Sequence, residues 1–107
     1  MSATMNWKYS GGFDPAEFCT TISFSVNTEL TDEQKDVFLS ATATAASKTL
    51  TLGLANGQFM VVANIGGSNA FTVKNVAGDT GTSVAAGKVA LVIASTTANA
   101  TKCYVLN

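Results

Sequence analysis

The stretch KTLTLGLANGQFMVVANIGGSNAFTVKNVAGDTGTSVAAGKVALVIAS, residues 48–95, decides the fold of this chain. Short segments rich in Leu, Val, Ile and Phe alternate in it with turns made of Gly, Asn, Asp and Ser. Short strands that recur every 8–12 residues or so, with turn residues between them, are typical of an antiparallel β-sandwich or a barrel-like module. The sequence therefore predicts a mainly β protein.

The first half of this stretch contains two predicted strands and a predicted hairpin. Leu50, Leu52 and Leu54 alternate with smaller residues, which indicates a strand with one buried face. Asn56-Gly57 favours the tight turn of a two-residue hairpin. Phe59–Ala63 is apolar at every position, a pattern typical of a strand that is buried on both faces.

The rest of the chain adds four predicted strands. We expect a strand around Phe71 and Val73, a short one at Thr82–Val84, and a closing strand at Lys102–Leu106. Between the last two, Val89, Leu91 and Ile93 alternate with Ala and Val in a strand that is mostly apolar. Turns are predicted at Gly66–Asn69, Gly78–Gly81 and Ala85–Gly87, and no internal repeat is visible.

Residues 1–47 differ in composition, since they hold most of the aromatic residues and six of the seven acidic ones. Alternation over Phe18–Val26 predicts a strand. Thr31 followed by Gln34 has the spacing of a capping box, so a short N-terminal helix is expected over residues 31–40. Ala41–Ser47 either extends that helix or forms an extended linker.

We interpret the 107 residues as a single domain, because a chain of this length supports one core. Within it, residues 1–47 would form a docking arm, a strand and a short helix. Residues 48–107 would form the β-sheet unit.

The charge of the chain is low. Charged residues make up 12% of the sequence and the net charge is −1, whereas globular domains average about 25% charged residues. Low surface charge weakens the repulsion between copies, which favours self-association. The six basic residues are scattered lysines, so the clustered basic stripe of a nucleic-acid-binding protein is missing.

Membrane insertion and export are not predicted. The longest apolar run near the C-terminus, Val89–Ala94, is far shorter than the ~20 residues of a membrane span. Met1–Ser10 lacks the pattern of a signal peptide, so we expect a chain made in a cytoplasm. In that compartment Cys19 and Cys103 are expected to be buried, apolar thiols without a disulfide.

Residue types that carry catalysis are scarce, and we predict no catalytic, cofactor or metal site. There is no His, which removes the usual base of Ser and Cys nucleophiles. Two Cys without His do not make a four-ligand zinc site. Asp32, Glu33 and Asp36 are interpreted as charges at a helix start, and Asp79 as a turn residue.

Three aromatic residues near the N-terminus, Trp7, Tyr9 and Phe13, are candidate partner-docking residues. They lie in a Gly-containing segment without strand or helix periodicity. Large aromatic side chains are common anchors of protein interfaces. Packing in the chain's own core and a sugar-binding platform are the alternatives.

Residues 49–95 resemble the β modules of tailed-phage virion proteins, above all capsid decoration and head-fibre proteins. The similarity rests on the motifs NGQ, NIGG, FTVKN and GKVALV. It implies a virion structural protein that forms a homo-oligomer, commonly a trimer, and binds the major capsid protein or another virion protein. The alternative is a tail-fibre module that binds a receptor or a carbohydrate.

Overall fold

The computed structural model describes residues 18–106, which form nine β-strands and one turn of 3-10 helix. The mainly β class predicted from the sequence is confirmed. The strands are β1 (Cys19–Phe24), β2 (Thr28–Glu29), β3 (Phe38–Ala43), β4 (Lys48–Thr51), β5 (Phe59–Asn64), β6 (Phe71–Lys74), β7 (Thr82–Val84), β8 (Val89–Ile93) and β9 (Lys102–Val105).

The strands form two mixed sheets. Sheet A has the order β1-β3-β5-β8-β9, and sheet B has the order β2-β4-β6-β7. Neighbours among the first six strands are parallel, and the pairs that involve β7, β8 or β9 are antiparallel. The purely antiparallel arrangement was a wrong prediction. Over the described residues, both sheets also end in edge strands, so neither closes into a barrel.

The parallel pairing follows from the path of the chain, which alternates between the sheets from β1 to β6. Each strand is followed by a strand of the other sheet, so the chain returns to a sheet in the same direction each time. Phe38 aligns with Val61 and Lys48 with Phe71, in both cases 23 residues further along the chain. The path therefore repeats although the sequence shows no repeat, because a strand requires apolar alternation and not particular residues.

The turn at Asn56-Gly57 does not make the predicted hairpin. Gln58 N–H donates to the carbonyl of Ala55 over 3.0 Å, and Gly57 has a φ of 86°, so a tight turn is present. This turn joins β4 of sheet B to β5 of sheet A, and these two strands are not paired. The turn chemistry was recognised correctly, but the partner strand of β5 was not.

The predicted helix over residues 31–40 is also wrong. Only Asp32–Gln34 is helical, as one 3-10 turn, and Thr31 N–H donates to the Gln34 side chain over 2.9 Å. β3 begins at Phe38, four residues later. The capping pair therefore begins a single 3-10 turn that does not continue into an α-helix. The residues after it alternate between buried and exposed positions, as in a strand.

The Ala/Thr tract at residues 41–47 neither extends a helix nor forms only a linker. Its first three residues complete β3, where Leu39, Ala41 and Ala43 are buried on one face. Residues 44–47 then form the connection to β4. Small residues suit β3 because it lies between β1 and β5, with its inner face against the core.

One hydrophobic core contains side chains from both sheets. The ring of Phe24 in β1 meets the ring of Phe71 in β6 edge to face, with centroids 5.4 Å apart. Burying a large apolar side chain contributes roughly 1.5–3 kcal/mol. The buried members of this cluster are Phe24, Leu30, Leu39, Ala41, Ala43, Leu50, Leu52, Leu54, Met60, Val62, Phe71, Val73, Val84, Ala90, Val92 and Ala94.

Two buried asparagines connect the strand ends across the core. The Asn75 side chain accepts a hydrogen bond from Leu54 N–H (2.7 Å) and donates to the carbonyls of Leu54 (3.0 Å) and Ser95 (2.9 Å). Asn64 at the end of β5 donates to the carbonyl of Val84 in β7 over 2.9 Å. Each amide thus satisfies backbone groups that would otherwise be buried without a partner.

Candidate interaction surface

The outer side of sheet A carries a continuous group of large apolar side chains, which we call the apolar face. On β3, β5 and β8 the alternate residues point into the core, and the residues between them point outward. Phe38 is 42% exposed, Phe59 40%, Ile93 41% and Tyr104 52%. The face consists of Phe38, Phe59, Val61, Leu91, Ile93 and Tyr104.

The strand register brings these six residues together in two rows. Phe38 pairs with Val61, Val61 with Leu91, and Leu91 with Tyr104, which makes one row across four strands. Phe59 pairs with Ile93 in the second row. Directly paired residues in a sheet share a side and lie in contact range. The apolar face is therefore one surface and not a set of scattered residues.

The apolar face is almost free of charge. Among the strand residues on the outer side of sheet A, only Lys102 is charged, and it pairs with Ile93 at the corner of the face. No acidic strand residue accompanies it on this side. A contact with this surface would thus depend on apolar burial, with little contribution from ion pairs.

A shallow apolar hollow lies within the face. Gly57, Phe59, Leu91 and Ile93 line it, and its volume is about 320 Å³. The ring of Phe59 stands beside this hollow and is itself partly exposed. The same surface therefore offers both an exposed aromatic side chain and a depression that an apolar side chain of a partner could fill.

The apolar face was not predicted from the sequence, although the apolar pattern that produces it is visible there. Phe59–Ala63 is apolar at both odd and even positions, which suggested a strand buried on both faces. In the structure Met60 and Val62 are buried, whereas Phe59 is exposed and Val61 is half-buried. The outward apolar residues of β5, Phe59 and Val61, therefore belong to the outer surface of sheet A. The same is true of Leu91 and Ile93 in β8.

The predicted docking residues, Trp7, Tyr9 and Phe13, lie outside the described residues. Their role remains a prediction.

Asp79 holds the loop between β6 and β7 in shape. Its carboxylate accepts hydrogen bonds from the backbone N–H groups of Asn75, Val76 and Asn99 and from the Thr101 hydroxyl. Burial alone would raise the pKa of Asp79, but these hydrogen bonds outweigh it and hold the pKa below its ordinary value. The predicted role as a turn residue is confirmed.

A polar hollow of about 260 Å³ adjoins this loop, lined in part by Lys74, Thr80 and Asn99. Asn99 Oδ1 already accepts hydrogen bonds from the backbone N–H and the hydroxyl of Thr80. Lys74 Nζ donates to the carbonyl of Ala77 over 3.1 Å. These hydrogen bonds within the protein stabilise the loop beside the hollow.

Two of the acidic residues after Thr31, Asp32 and Asp36, have structural partners. Asp32 forms an ion pair with Lys35 over 3.1 Å, and Asp36 accepts a hydrogen bond from the Thr20 hydroxyl. Within residues 18–106 no three Cys, Asp or Glu side chains are grouped so that they could hold a metal ion.

The two cysteines are free, as expected, but Cys19 is exposed and Cys103 is only half-buried. They lie on the opposite edge strands β1 and β9, about 19 Å apart at ~4.8 Å per strand. That separation is too large for a disulfide within one chain. Burial raises the pKa of the Cys103 thiol, against a weaker opposing effect of a hydrogen bond with Thr82.

None of the helical structure in the described part of the chain is long and apolar enough to span a membrane. Comparison of the chain with protein-family models, with curated proteins and with solved structures finds no match.

Proposed function

We propose that this chain is a non-enzymatic structural subunit that works by burying its surface against other proteins in a multi-copy assembly. The observation that carries the proposal is the apolar face, an uncharged surface with Phe59, Ile93 and Tyr104 at 40% exposure or more. The largest contiguous apolar patch on a soluble protein is often functional, as an interaction site for another protein or a ligand. The Thr-, Ala- and Gly-rich composition, with 12% charged residues, favours close approach of subunits.

The setting we propose is a phage virion, in which the chain serves as a capsid decoration or head-fibre subunit. The support is the resemblance of residues 49–95 to such β modules, together with the apolar face. In this setting the chain forms a homo-oligomer, a trimer by the same resemblance, and binds the major capsid protein or another virion protein. Trp7, Tyr9 and Phe13 are the proposed anchor.

We also infer a sandwich architecture. Its support is the shared core, to which both sheets contribute side chains, and the contact between Phe24 and Phe71. Facing sheets pack about 10 Å apart with interdigitating side chains. Such a module is rigid enough to present the outer side of one sheet to a partner.

The first experiment is the absolute mass of the full chain by light scattering over a dilution series. A mass three times that of the 11.0 kDa chain at every concentration supports the proposal. A mass of 11.0 kDa at all concentrations contradicts self-association. A dimer keeps the assembly role and rejects the trimer.

A second experiment tests the virion setting. Mass spectrometry of purified particles, from the phage whose genome encodes the chain, is expected to find many copies per head. A chain that is made during infection but missing from the particles would exclude the virion role. Deletion of Met1–Gly12 should abolish binding to heads, and full occupancy by the truncated chain would contradict the anchor.

A further inference from the structure

We infer that the apolar face is the contact between copies of this chain, so that the face of one copy packs on the face of another. This inference rests on the proposed function, because it names the surface through which the subunits associate. The described residues support it by area, by charge and by shape.

The exposed apolar area of the face supplies much of what an association of copies needs. A fully exposed large side chain presents about 200 Å², so the four most exposed residues of the face together present roughly 350 Å² at exposures of 40–52%. Two such faces in contact would bury roughly 700 Å² from these side chains alone, toward the ~1,000 Å² of a specific interface, and the two half-buried residues of the face add to this area. Half-buried neighbours on the same side, such as Ser40 and Ala63, would add to this area.

The charge pattern favours a second copy over an unrelated charged partner. A surface that recognises a different protein commonly carries charges complementary to those of its partner. Here Lys102 is the one charged strand residue on this side, at the corner, and it leaves the two rows neutral. A neutral apolar surface is complementary to itself, because bringing two copies together creates no like-charge pair at its centre.

The shape of the face is also self-complementary. Phe59, which is 40% exposed, lines the hollow together with Gly57, Leu91 and Ile93. In a contact between copies, the exposed part of the Phe59 ring of one subunit can enter the hollow of the next. About a two-fold axis this exchange is reciprocal, whereas about a three-fold axis each subunit would give its ring to one neighbour and its hollow to the other.

Ile93→Glu is the variant that tests the inference. It places a carboxylate in the face, opposite Lys102 on β9, so the variant forms a cross-strand pair of opposite charges, which favours retention of the strand. Tyr104→Ser is a second variant, on an exposed position of the same face. Ser83→Glu is the matched control, an exposed strand position of sheet B. Circular dichroism and thermal unfolding verify that each variant folds.

Sedimentation velocity over a dilution series gives the dissociation constant of each variant. Ile93→Glu and Tyr104→Ser should each raise it at least tenfold, whereas Ser83→Glu should change it less than threefold. If the wild-type chain associates and both face variants associate equally well, the inference is overturned and the proposed function stands. If the wild-type chain is a monomer at all concentrations, both fail.

Discussion

At the scale of single residues, the polar side chains of this protein act on its own backbone. Asn75 is fully buried and connects the segment after β4 with the segment after β8. Asp79 accepts four hydrogen bonds from two segments, residues 75–76 and residues 99–101. Side chains that could suggest a ligand site by their chemistry are engaged in this way. The polar residues of the described loops therefore build the scaffold that holds the apolar face.

Asn75→Asp is expected to destabilise the protein by about 2–4 kcal/mol. The carboxylate still accepts from Leu54 N–H, but it cannot donate to the carbonyls of Leu54 and Ser95. Each buried group left without a partner costs about 1–3 kcal/mol. Urea unfolding at pH 7 measures the effect, with Asn56→Asp in an exposed turn as the control. Equal midpoints for the two variants would contradict the role of Asn75.

Asp79 makes the stability of the protein depend on pH in the acid range. Its folded-state pKa lies below the ordinary value of about 3.9. Its contribution to stability is therefore fully present above pH ~4 and is lost as the pH falls through the folded-state pKa.

The variant Asp79→Asn should lack this pH dependence. We expect the wild type to lose more unfolding free energy than Asp79→Asn between pH 5 and pH 2.5, measured by urea unfolding. Parallel pH profiles for the two proteins would show that Asp79 does not contribute.

At the scale of elements, the turn between β6 and β7 requires glycine at position 81. Gly81 has a φ of 84°, and a Cβ there would lie 2.5 Å from Thr72 Cγ2 and 3.0 Å from the carbonyl of Val73. Gly57 has a similar φ of 86°, but nothing lies within 4 Å of its Cβ position. Substitution at Gly57 therefore measures only the cost of the left-handed backbone. Substitution at Gly81 adds the cost of the steric overlap with Thr72 and Val73.

Gly57→Ala is therefore expected to cost about 1–2 kcal/mol, from the left-handed backbone alone. Gly81→Ala should cost a further 1–3 kcal/mol or so, because the Cβ overlaps its neighbours. Chemical unfolding of both variants in parallel measures the difference. A Gly81→Ala protein as stable as Gly57→Ala would show that Thr72 moves aside without cost.

The location of most strands could be predicted from the sequence, but their partners could not. Alternation and turn residues indicated the strands that became β4 to β9, and the Asp79 turn. Pairing depends on which sheet the chain enters after each turn, and Asn56-Gly57 is equally compatible with a hairpin and with a crossing to the other sheet. The prediction wrongly extended a helix over residues 38–40, the first half of β3, because the Thr31–Gln34 cap is a local signal that does not determine how far a helix continues.

The candidate site could not be predicted for a related reason. A strand that is apolar on both faces is either buried on both faces or exposed on one of them. The sequence of β5 is compatible with both arrangements. Only the position of sheet A at the outside of the fold shows that Phe59 and Val61 face outward.

At the scale of the whole molecule, a nearly neutral chain presents the apolar face on the outer side of sheet A. Association through such a surface should respond weakly to salt, because few charges are available for screening. We expect the dissociation constant of the copies to change less than threefold between 0.05 and 0.5 M NaCl, measured by sedimentation. A tenfold weakening over this range would indicate ion pairs in the contact, which the apolar face does not provide.

The passage of the chain between the two sheets also determines the order in which the protein can fold. From β3 to β6, each strand pairs with the strand that the chain formed about 20 residues earlier, so β3 can pair with β1, and β4 with β2, before β5 joins sheet A. Parallel strands that are not adjacent in sequence form slowly, and folding times of milliseconds to seconds are typical of such topologies. β5 then receives β8 on its free side, and β9 pairs with β8. The apolar face is complete only when β9 brings Tyr104 beside Leu91, so association through the complete face follows the pairing of β9 with β8.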